Sequence, residues 1–459
     1  MNPIRTVRRL TCILAGLAAA SALAAAAPAA AASNATAAAT GKAAVALPPG
    51  NTVAQWNKIA EDTVVGSGAF QAEGLIYMAY VSAAVYDAVA ATEGGFAPYG
   101  PAITAPAGAS ADAAAVEAAY RTLVTYFPAQ AGNLTALYAS ALGLIPGGTA
   151  KQDGQAVGLA AATGIIGLRA GDGRMTPIGV TSPFPALPPG PGVWRLTPPF
   201  APAQTPWVAT VRPFILHRLD RFLPAPPPSL HSHEWAEAFN QIKAYGAADS
   251  TVRTAAQTTT AKFWSANVIR QYNQAGRDIA AARGLSLPGT ARLAAMVNLV
   301  GADALMSTWH AKYHYLFWRP VTAIDPAAVT ADGYGPVPGY HDGNPATTGQ
   351  AGWRPLLTTP NHPEYPGAHG AITSAMAEVF ATVLGTGQIG LDIHGFDPAG
   401  PPGNLNAVRH FTTPSDLRRE IINARLWAGL HYRFSSVAGV TLGRQVAKYD
   451  LYHAFQPIG

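Results

Sequence analysis

Hydrophobic positions recur at helical spacing along most of the chain. Val53, Trp56, Ile59 and Ala60 follow the i, i+3, i+4 pattern of an amphipathic helix, and many later segments repeat it. Segments that alternate as strands do are few. We predict helices from Thr52 onward and over residues 75–91, 111–126, 134–144, 155–168, 233–245 (capped by Ser232), 251–272, 289–318, 368–384, 414–434 and 435–454. The pattern therefore predicts an all-α fold of helical bundles in two bundle-like halves, with few or no strands.

Two stretches interrupt the helical pattern. Prolines are too dense over residues 175–228 for long helices, so we predict an extended connector on the surface. Residues 333–363 are rich in Gly, Pro and Asn and read as a long loop, which is usually functional or disordered. We place the N-terminal helical half with its connector at residues 51–228, and the C-terminal half at residues 229–459.

The N-terminus has the pattern of a targeting segment. Arg5, Arg8 and Arg9 precede an apolar run, and an Ala-x-Ala site follows near residues 30–32. This order predicts a signal peptide over residues 1–32 and a flexible linker over residues 33–50. The pair Arg8-Arg9 leaves the twin-arginine route open beside the general secretory route. We therefore expect a secreted protein with no membrane attachment after export.

Removing the predicted leader changes the bulk properties. It carries three arginines and no acidic residue, so the net charge of +5 for the full chain falls to +2. A nucleic-acid partner is therefore not indicated. The only cysteine, Cys12, leaves with the leader, which excludes disulfides and thiolate chemistry from the mature chain. Abundant alanine suits close helix packing.

Titratable chemistry is concentrated late in the chain, where nine of the twelve histidines follow residue 300. The first segment of interest is KYHYLFWRP, from Lys312 to Pro320. Lys312 and Arg319 are seven residues apart, or two helical turns, so we expect both cations to project from one helix face. Taken alone, this spacing is typical of a solvated basic stripe, but the residues between the cations are too apolar for an exposed face.

The second segment, NHPEYPGAHG, begins at Asn361 and leads through a Pro-Gly turn into an Ala-rich helix. Free N–H groups and the positive end of the helix dipole make such a turn suitable for an anion. Gly367 and Ala368 would let an oxyanion approach the main chain closely. We expect His369 at the rim of this site, although a histidine at a helix start can equally be structural.

The third segment, ARLWAGLHYRF, contains Arg425 and His431 six residues apart, and we expect them to share a helix face with some offset. Together the three segments present one Lys, two Arg, a backbone turn and two His. Three cations suit a tetrahedral oxyanion such as phosphate or vanadate. One histidine can then act as nucleophile or metal ligand, and the other as general acid–base.

The order Lys-x6-Arg-Pro, Pro-x-x-His and Arg-x5-His resembles the shared signature of vanadium-dependent haloperoxidases and type 2 phosphatidic acid phosphatases. Residues 53–60 and 193–200 also resemble segments of secreted bacterial haloperoxidase-like proteins. The resemblance therefore covers most of the mature chain. It implies an enzyme that binds vanadate, in a site that phosphate could also occupy.

The resemblance also implies roles for individual residues. Lys312, Arg319 and Arg425 would bind the equatorial oxygens of vanadate, with Gly367 and the backbone N–H of Ala368 beside them. In this scheme the three cations and the turn form the cofactor-binding set.

The remaining implied roles concern the chemistry. His431 would bond directly to the metal, and His369 would hydrogen-bond the apical oxygen and deprotonate hydrogen peroxide. Lys312 would polarise the peroxide for attack by a halide, and the hypohalous acid formed would halogenate a small organic acceptor. The metal acts as a Lewis acid and keeps its oxidation state.

Several positions bear on how strongly the resemblance applies. The family often has serine at the position of Gly367 and an acidic residue at the position of Ser435, so this chain lacks two expected groups near the site. Trp309 and His362 are halide-site candidates. Bromide-oxidising members resemble this chain at His362, whereas chloride-oxidising members tend to carry phenylalanine, so we expect a preference for bromide.

Two other functions remain open at this point. A secreted acid phosphatase could use the same pocket, with His431 attacking phosphorus and His369 protonating the leaving alcohol. A divalent-metal site could use His231 with His233, or His310 with His314, because both pairs have ligand-like spacing. The oligomeric state is also open, with a homodimer among the options.

Overall fold

A computed structural model describes residues 45–178, 187–188, 190–325, 341–385, 387–395 and 407–458. The predicted signal peptide, most of the predicted linker and residues 333–340 of the predicted loop lie outside these residues. The helices are α1 (Thr52–Gly66), α2 (Gln71–Glu93), α3 (Ala111–Tyr126), α4 (Ala131–Leu144), α5 (Thr149–Leu168), α6 (His233–Gly246), α7 (Ala255–Phe263), α8 (Val268–Ala282), α9 (Leu287–Ala295), α10 (Gly301–Tyr315), α11 (Pro320–Ile324), α12 (Ala368–Leu384), α13 (Pro414–Trp427) and α14 (Arg433–His453).

Strands are confined, in the part of the chain described, to β1 (Leu391–His394) and β2 (Val408–Phe411). They pair antiparallel with Leu391 opposite Phe411. The all-α prediction is confirmed. Side-chain caps fix several helix starts, because a cap satisfies a backbone N–H that the helix itself leaves free. The Ser232 side chain, for example, accepts from the N–H of Trp235, as predicted.

The described residues from 45 onward form one compact unit, and its largest hydrophobic cluster draws on both predicted halves. Helix α2 lies at its centre. This helix is long and apolar enough to cross a membrane, but 89% of its most apolar 18-residue window is buried inside the fold. That degree of burial is typical of the core helix of a globular protein.

Glycines let several helix pairs pack backbone against backbone. A Cβ atom on Gly439 would lie 2.1 Å from the carbonyl oxygen of Gly367, and one on Gly443 would lie 1.9 Å from that of Ala371. Helices α12 and α14 therefore meet closer than any side chain would allow. This contact fixes the first turn of α12, which belongs to the second sequence motif.

Two predicted helices are divided in the structure. The prediction of one helix over residues 251–272 is wrong, because α7 ends at Phe263 and α8 begins at Val268. The side chain of Asn267 caps α8 by accepting from the N–H of Ile269, which starts a new helix where the pattern suggested continuation. The predicted helix over residues 289–318 contains a π-helical turn (Met296–Val300) and ends three residues early, at Tyr315.

The described residues of the proline-rich connector contain one short 3-10 helix (Pro206–Thr210) and no long helix, as predicted, but they do not merely cover the surface. Its side chains Trp207, Val208 and Phe214 are buried in the main core. The buried carboxylate of Asp303 in α10 accepts from the N–H groups of Phe214, Ile215 and Leu216 at 2.7–3.0 Å. Because α10 also carries Lys312, this anchor holds the connector against the helix of the first motif.

A second anchor joins the connector to the loop of the second motif. The side chain of Asn361 accepts from the N–H of Thr197 at 2.8 Å and donates to the carbonyl of Ala201 at 2.9 Å. Asn361 directly precedes His362. The connector therefore positions the loop that leads into α12.

A buried acid on α14 gives the fold a pH-dependent stability. Both carboxylate oxygens of Asp450 are buried, with no hydrogen-bond partner among the described residues. Burial, and secondarily the charge of Asp303, raise the pKa of Asp450 well above its usual range. A raised pKa means that the folded state binds the proton more tightly than the unfolded chain. Stability is therefore fully present below the unfolded pKa of about 4 and is lost as pH rises towards the folded pKa.

We expect Asp450→Asn to raise the midpoint of thermal unfolding above that of the parent, by an amount that grows between pH 4 and pH 8. The matched control is Asp303→Asn, which should lower the midpoint at every pH because three backbone N–H groups depend on that carboxylate. Thermal unfolding across this pH range measures both. An Asp450→Asn difference that does not change with pH would contradict the account.

Candidate active site

The first motif does not lie on a single helix face. The expectation that Lys312 and Arg319 project from the same helix is wrong, because α10 ends at Tyr315 and Leu316 adopts a left-handed backbone conformation (φ 47°). Arg319 is extended (φ −79°, ψ 154°), as the residue before a proline usually is, and directly precedes α11. The two side chains converge through a tight turn.

The third motif is divided in the same way. The predicted helix over residues 414–434 is wrong in its second half, because α13 ends at Trp427 and Gly429 takes a positive φ of 77°. A Cβ on Gly429 would lie 2.5 Å from the carbonyl oxygen of Gly246, so this turn requires glycine. Arg425 therefore lies in the last turn of α13, and His431 in the turn before α14.

The three motifs meet in one buried cluster. Lys312 Nζ donates to the carbonyls of Pro363 and Glu364, both at 2.8 Å. Arg319 donates to the carbonyl of His362 at 2.9 Å and lies 3.4 Å from His431 Nε2. Lys312, Arg319, Arg425 and His431 are each at most 3% exposed. Segments more than a hundred residues apart thus supply one set of charged side chains.

The first turn of α12 closes one side of this cluster. Ala368 is the first residue of α12 and Gly367 precedes it, so free N–H groups lie at the positive end of a 17-residue helix. His369 is the second residue of α12 and is partly exposed, unlike the other site residues. This geometry agrees with a histidine at the edge of the site.

Aromatic rings surround His362. Its ring centroid lies 4.7 Å from that of Trp309, and its Nδ1 lies 3.0 Å from an Arg319 nitrogen. Phe70, which precedes α2, is 6.4 Å from both rings. The sequence predictions missed Phe70, because nothing in the local pattern near the N-terminus indicates a contact with a motif so far along the chain.

Glu364 is the other residue that the sequence predictions missed. Its carboxylate is fully buried, and its Oε1 lies 2.8 Å from His431 Nδ1 and accepts from the N–H of Tyr432 at 3.1 Å. A signal was present in the sequence. Glu364 stands in the second motif, and a histidine that binds a metal usually has a hydrogen-bonding partner such as a carboxylate. Because position 435 carries serine, another acid within the motifs was a candidate for that partner.

The electrostatics of the cluster favour an anion. Burial lowers the pKa of Arg425 to about 9, with Arg319 adding to the effect, and burial lowers that of Arg319 to about 10. Burial and the two arginines lower the pKa of Lys312 well below its usual range. Burial raises the pKa of Glu364 to about 7. Because the cations outnumber the one carboxylate, a bound anion would relieve their mutual repulsion.

Both histidines are held neutral by the same surroundings. Burial comes first, and the neighbouring cations second, in lowering the pKa values of His369 and His431 well below the usual range. A neutral imidazole has one nitrogen lone pair that can accept a proton or bind a metal. The cluster therefore joins cationic donors with two neutral bases.

Comparison with known proteins gives a consistent result. Residues 292–458, which carry all three motifs, match a family model described as the VCPO second helical-bundle domain. The chain is 26% identical over 317 residues to vanadium chloroperoxidase from Curvularia inaequalis, an alignment that covers 55% of this chain and 49% of that one. The chain thus spans about half the length of this curated relative.

Solved structures share the fold. The first bacterial vanadium-dependent iodoperoxidase superposes with a TM-score of 0.67 at 22% identity, over 90% of this chain and 99% of that one. A bacterial vanadium-dependent chloroperoxidase in its apo form gives 0.61 at 19% identity, over 83% and 93%. These matches support the superfamily of vanadium-dependent haloperoxidases and type 2 phosphatidic acid phosphatases. The fold of the superfamily therefore brings together the three motifs that the sequence analysis singled out.

Two positions that depart from the superfamily pattern have structural explanations. Gly367 has an ordinary φ of −72°, but a Cβ there would lie 3.1 Å from the Cα of Ser436. Close packing against α14 thus favours glycine, and the backbone conformation itself does not require it. The acid often found at the position of Ser435 is absent, but the carboxylate of Glu364 lies 2.8 Å from His431 Nδ1, so an acid still lies beside this histidine.

The divalent-metal alternative finds no support in the part of the chain described, where no group of three or more potential ligands is placed to hold a metal ion. His310 contacts the backbone carbonyl of Ala209 at 3.2 Å. His231 lies against Gly343.

Proposed function

We propose that this chain is a vanadium-dependent haloperoxidase, which oxidises a halide with hydrogen peroxide to hypohalous acid. The observation that supports this proposal most strongly is the convergence of Lys312, Arg319 and Arg425 with His431 in a buried cluster beside the first turn of α12. The names of the relatives add support, since they are chloroperoxidases and an iodoperoxidase.

The residues of the cluster fit a tetrahedral oxyanion such as vanadate. Lys312 has three N–H donors and gives two of them to backbone carbonyls, which leaves a third. Arg425 donates to the carbonyl of Trp264 at 3.0 Å, but its Nε is buried without a hydrogen-bond partner among the described residues. Buried donors of this kind require an acceptor.

Vanadate, when bound, would supply a Lewis-acid centre that activates hydrogen peroxide for two-electron oxidation of a halide. His431 would hold the metal through Nε2, because its Nδ1 is already engaged with Glu364. Lys312, Arg319 and Arg425 would offset the negative charge, and the N–H of Ala368 would donate at the helix start. Phosphate has the same shape and charge pattern and would compete for these donors.

His369 would move the proton of hydrogen peroxide. Its imidazole is neutral at working pH because burial and the nearby cations lower its pKa, so it can accept a proton as a general base. It is also the partly exposed member of the site, which suits a group that exchanges protons with solvent.

The halide would bind beside Trp309 and His362, and we propose bromide as the preferred ion. His362 occupies the position where, by the superfamily resemblance, chloride-oxidising members tend to carry phenylalanine. Its ring is tilted against that of Trp309 at 4.7 Å and lies against the Arg319 guanidinium, whose charge would attract a halide. We further propose that residues 1–32 act as a signal peptide for export, and that the enzyme halogenates a small organic acceptor outside the cytoplasm.

Purified protein provides the test. Bromide oxidation by hydrogen peroxide should appear after addition of orthovanadate, disappear with a chelator of vanadate, and be inhibited competitively by phosphate. Hydrolysis of a phosphate monoester is measured in parallel. Efficient hydrolysis without vanadate, together with no halide oxidation when vanadate is added, would overturn the proposal in favour of an acid phosphatase.

A further inference from the structure

Glu364 connects all three motifs. Its N–H donates to the carbonyl of Phe317 at 2.9 Å, in the turn before Arg319, and its carbonyl accepts from Lys312 Nζ at 2.8 Å. Its carboxylate Oε1 lies 2.8 Å from His431 Nδ1, within hydrogen-bond distance. This single, fully buried residue thus contacts Lys312, the turn before Arg319, and His431.

We propose that Glu364 is the positioning residue for His431, holding the imidazole proton on Nδ1 and directing the Nε2 lone pair into the oxyanion pocket. A neutral imidazole carries one proton, and the hydrogen bond made by one nitrogen determines which nitrogen is free. Since Nδ1 faces the carboxylate, Nε2 is the nitrogen without a proton, and it lies 3.4 Å from Arg319 Nη1 on the side of the cations.

The contacts of the Glu364 carboxylate fit the role of orienting His431. Oε1 accepts from both His431 and Tyr432, and Oε2 has no hydrogen-bond partner among the described residues. The carboxylate contacts the neutral imidazole of His431 at 2.8 Å, whereas Lys312 and Arg319 donate to the backbone carbonyls of residues 362–364 and not to this carboxylate. Glu364 therefore orients the histidine while the positive charge of the site remains directed at an anion.

The acid reaches the histidine from an unexpected place in the chain. The superfamily often has an acid four residues after the ligand histidine, where this chain has Ser435. Here the buried Ser435 has its Oγ 3.5 Å from the carbonyl of Glu364 and supplies no carboxylate. The loop that forms the anion-binding turn thus also supplies the partner of the histidine, so the two features are built from one segment.

The inference rests on the proposed function only in taking Nε2 as the atom that meets the oxyanion. A direct test is nitrogen NMR of histidine-labelled protein without added vanadate, with the His431 signal assigned by its loss in His431→Ala. The parent should show the Nδ1–H form of His431. In Glu364→Gln, whose amide can present either a donor or an acceptor, part of the population should move to the Nε2–H form.

Calorimetric titration with orthovanadate provides the second measurement. Glu364→Gln should weaken binding by about 10- to 100-fold, the usual effect of removing a partner that orients a metal ligand. The matched control is Glu378→Gln on α12, which removes a carboxylate paired with Arg418 and Arg444 away from the cluster. It should leave both the His431 proton and the affinity unchanged.

Adding Ser435→Asp to the Glu364→Gln protein restores an acid at the usual superfamily position, and it should recover part of the affinity and of the Nδ1–H form. A parent His431 that carries its proton on Nε2, or a Glu364→Gln protein identical to the parent in both measurements, would overturn the inference. If the parent oxidises no halide yet Glu364→Gln still shifts the proton, the proposed function fails and the positioning role stands.

Discussion

Replacing His431 with alanine should abolish both orthovanadate binding and bromide oxidation. In the proposed site its Nε2 makes the direct bond to the metal. The substitution also leaves the Glu364 carboxylate without its histidine, in a buried cluster beside Arg319. Pairing of that carboxylate with a cation would then cancel charge that an anion needs. Titration with orthovanadate and a bromide-oxidation assay measure the two losses separately.

His369→Ala is the matched comparison. It should still bind orthovanadate, because the three cations, the helix start and His431 remain, but turnover should fall by about 100- to 10,000-fold with loss of the general base. The two variants thus separate ligand and acid–base roles. If both bound vanadate and oxidised bromide as the parent does, the assignment of these histidines would be wrong.

Gly443→Ala should have the largest effect on stability. The added Cβ would lie 1.9 Å from the carbonyl oxygen of Ala371, a backbone atom in α12 that cannot move without shifting the helix. We expect the free energy of unfolding to fall by about 3 kcal/mol or more, at the upper end of overpacking effects. Vanadate affinity should fall as well, because the first turn of α12 is displaced from the cations. Chemical denaturation measures the first effect.

The control for this substitution is Gly143→Ala on the exposed side of α4, where a Cβ would meet nothing within 4 Å. Glycine is a poor helix former, so this change should stabilise the protein by up to about 1 kcal/mol. Equal stability of Gly443→Ala and the parent would show that α12 and α14 can separate without cost, and the account of the helix pair would be wrong.

Much of the architecture could be predicted from the periodic pattern alone. Helix starts at Ser232 and the first turn of α12 follow from local capping and turn chemistry, which the sequence displays directly. The two arguments from shared helix faces were wrong for a common reason. A turn at Leu316 before Pro320 and a positive φ at Gly429 end helices inside the motifs, whereas the arguments assumed that each helix continued through its motif.

The convergence of the motifs could be predicted because buried cations on separate segments need a common anion. The partners of those motifs could not. Glu364 was visible as a residue of the second motif, but its contact with His431 is set by how the loop folds back. Phe70 lies near Trp309 only because α2 packs through the centre of the molecule. Contacts of this kind leave no local pattern in the sequence.

The central claim is that the three motifs form one vanadate site with His431 as the metal ligand. A crystal structure of the protein grown with orthovanadate tests it most directly. The account predicts vanadium bonded to His431 Nε2, with its oxygens within hydrogen-bond distance of Lys312, Arg319, Arg425 and the Ala368 N–H. Vanadium bound at another place, or absent from this cluster at saturating concentration, would contradict it.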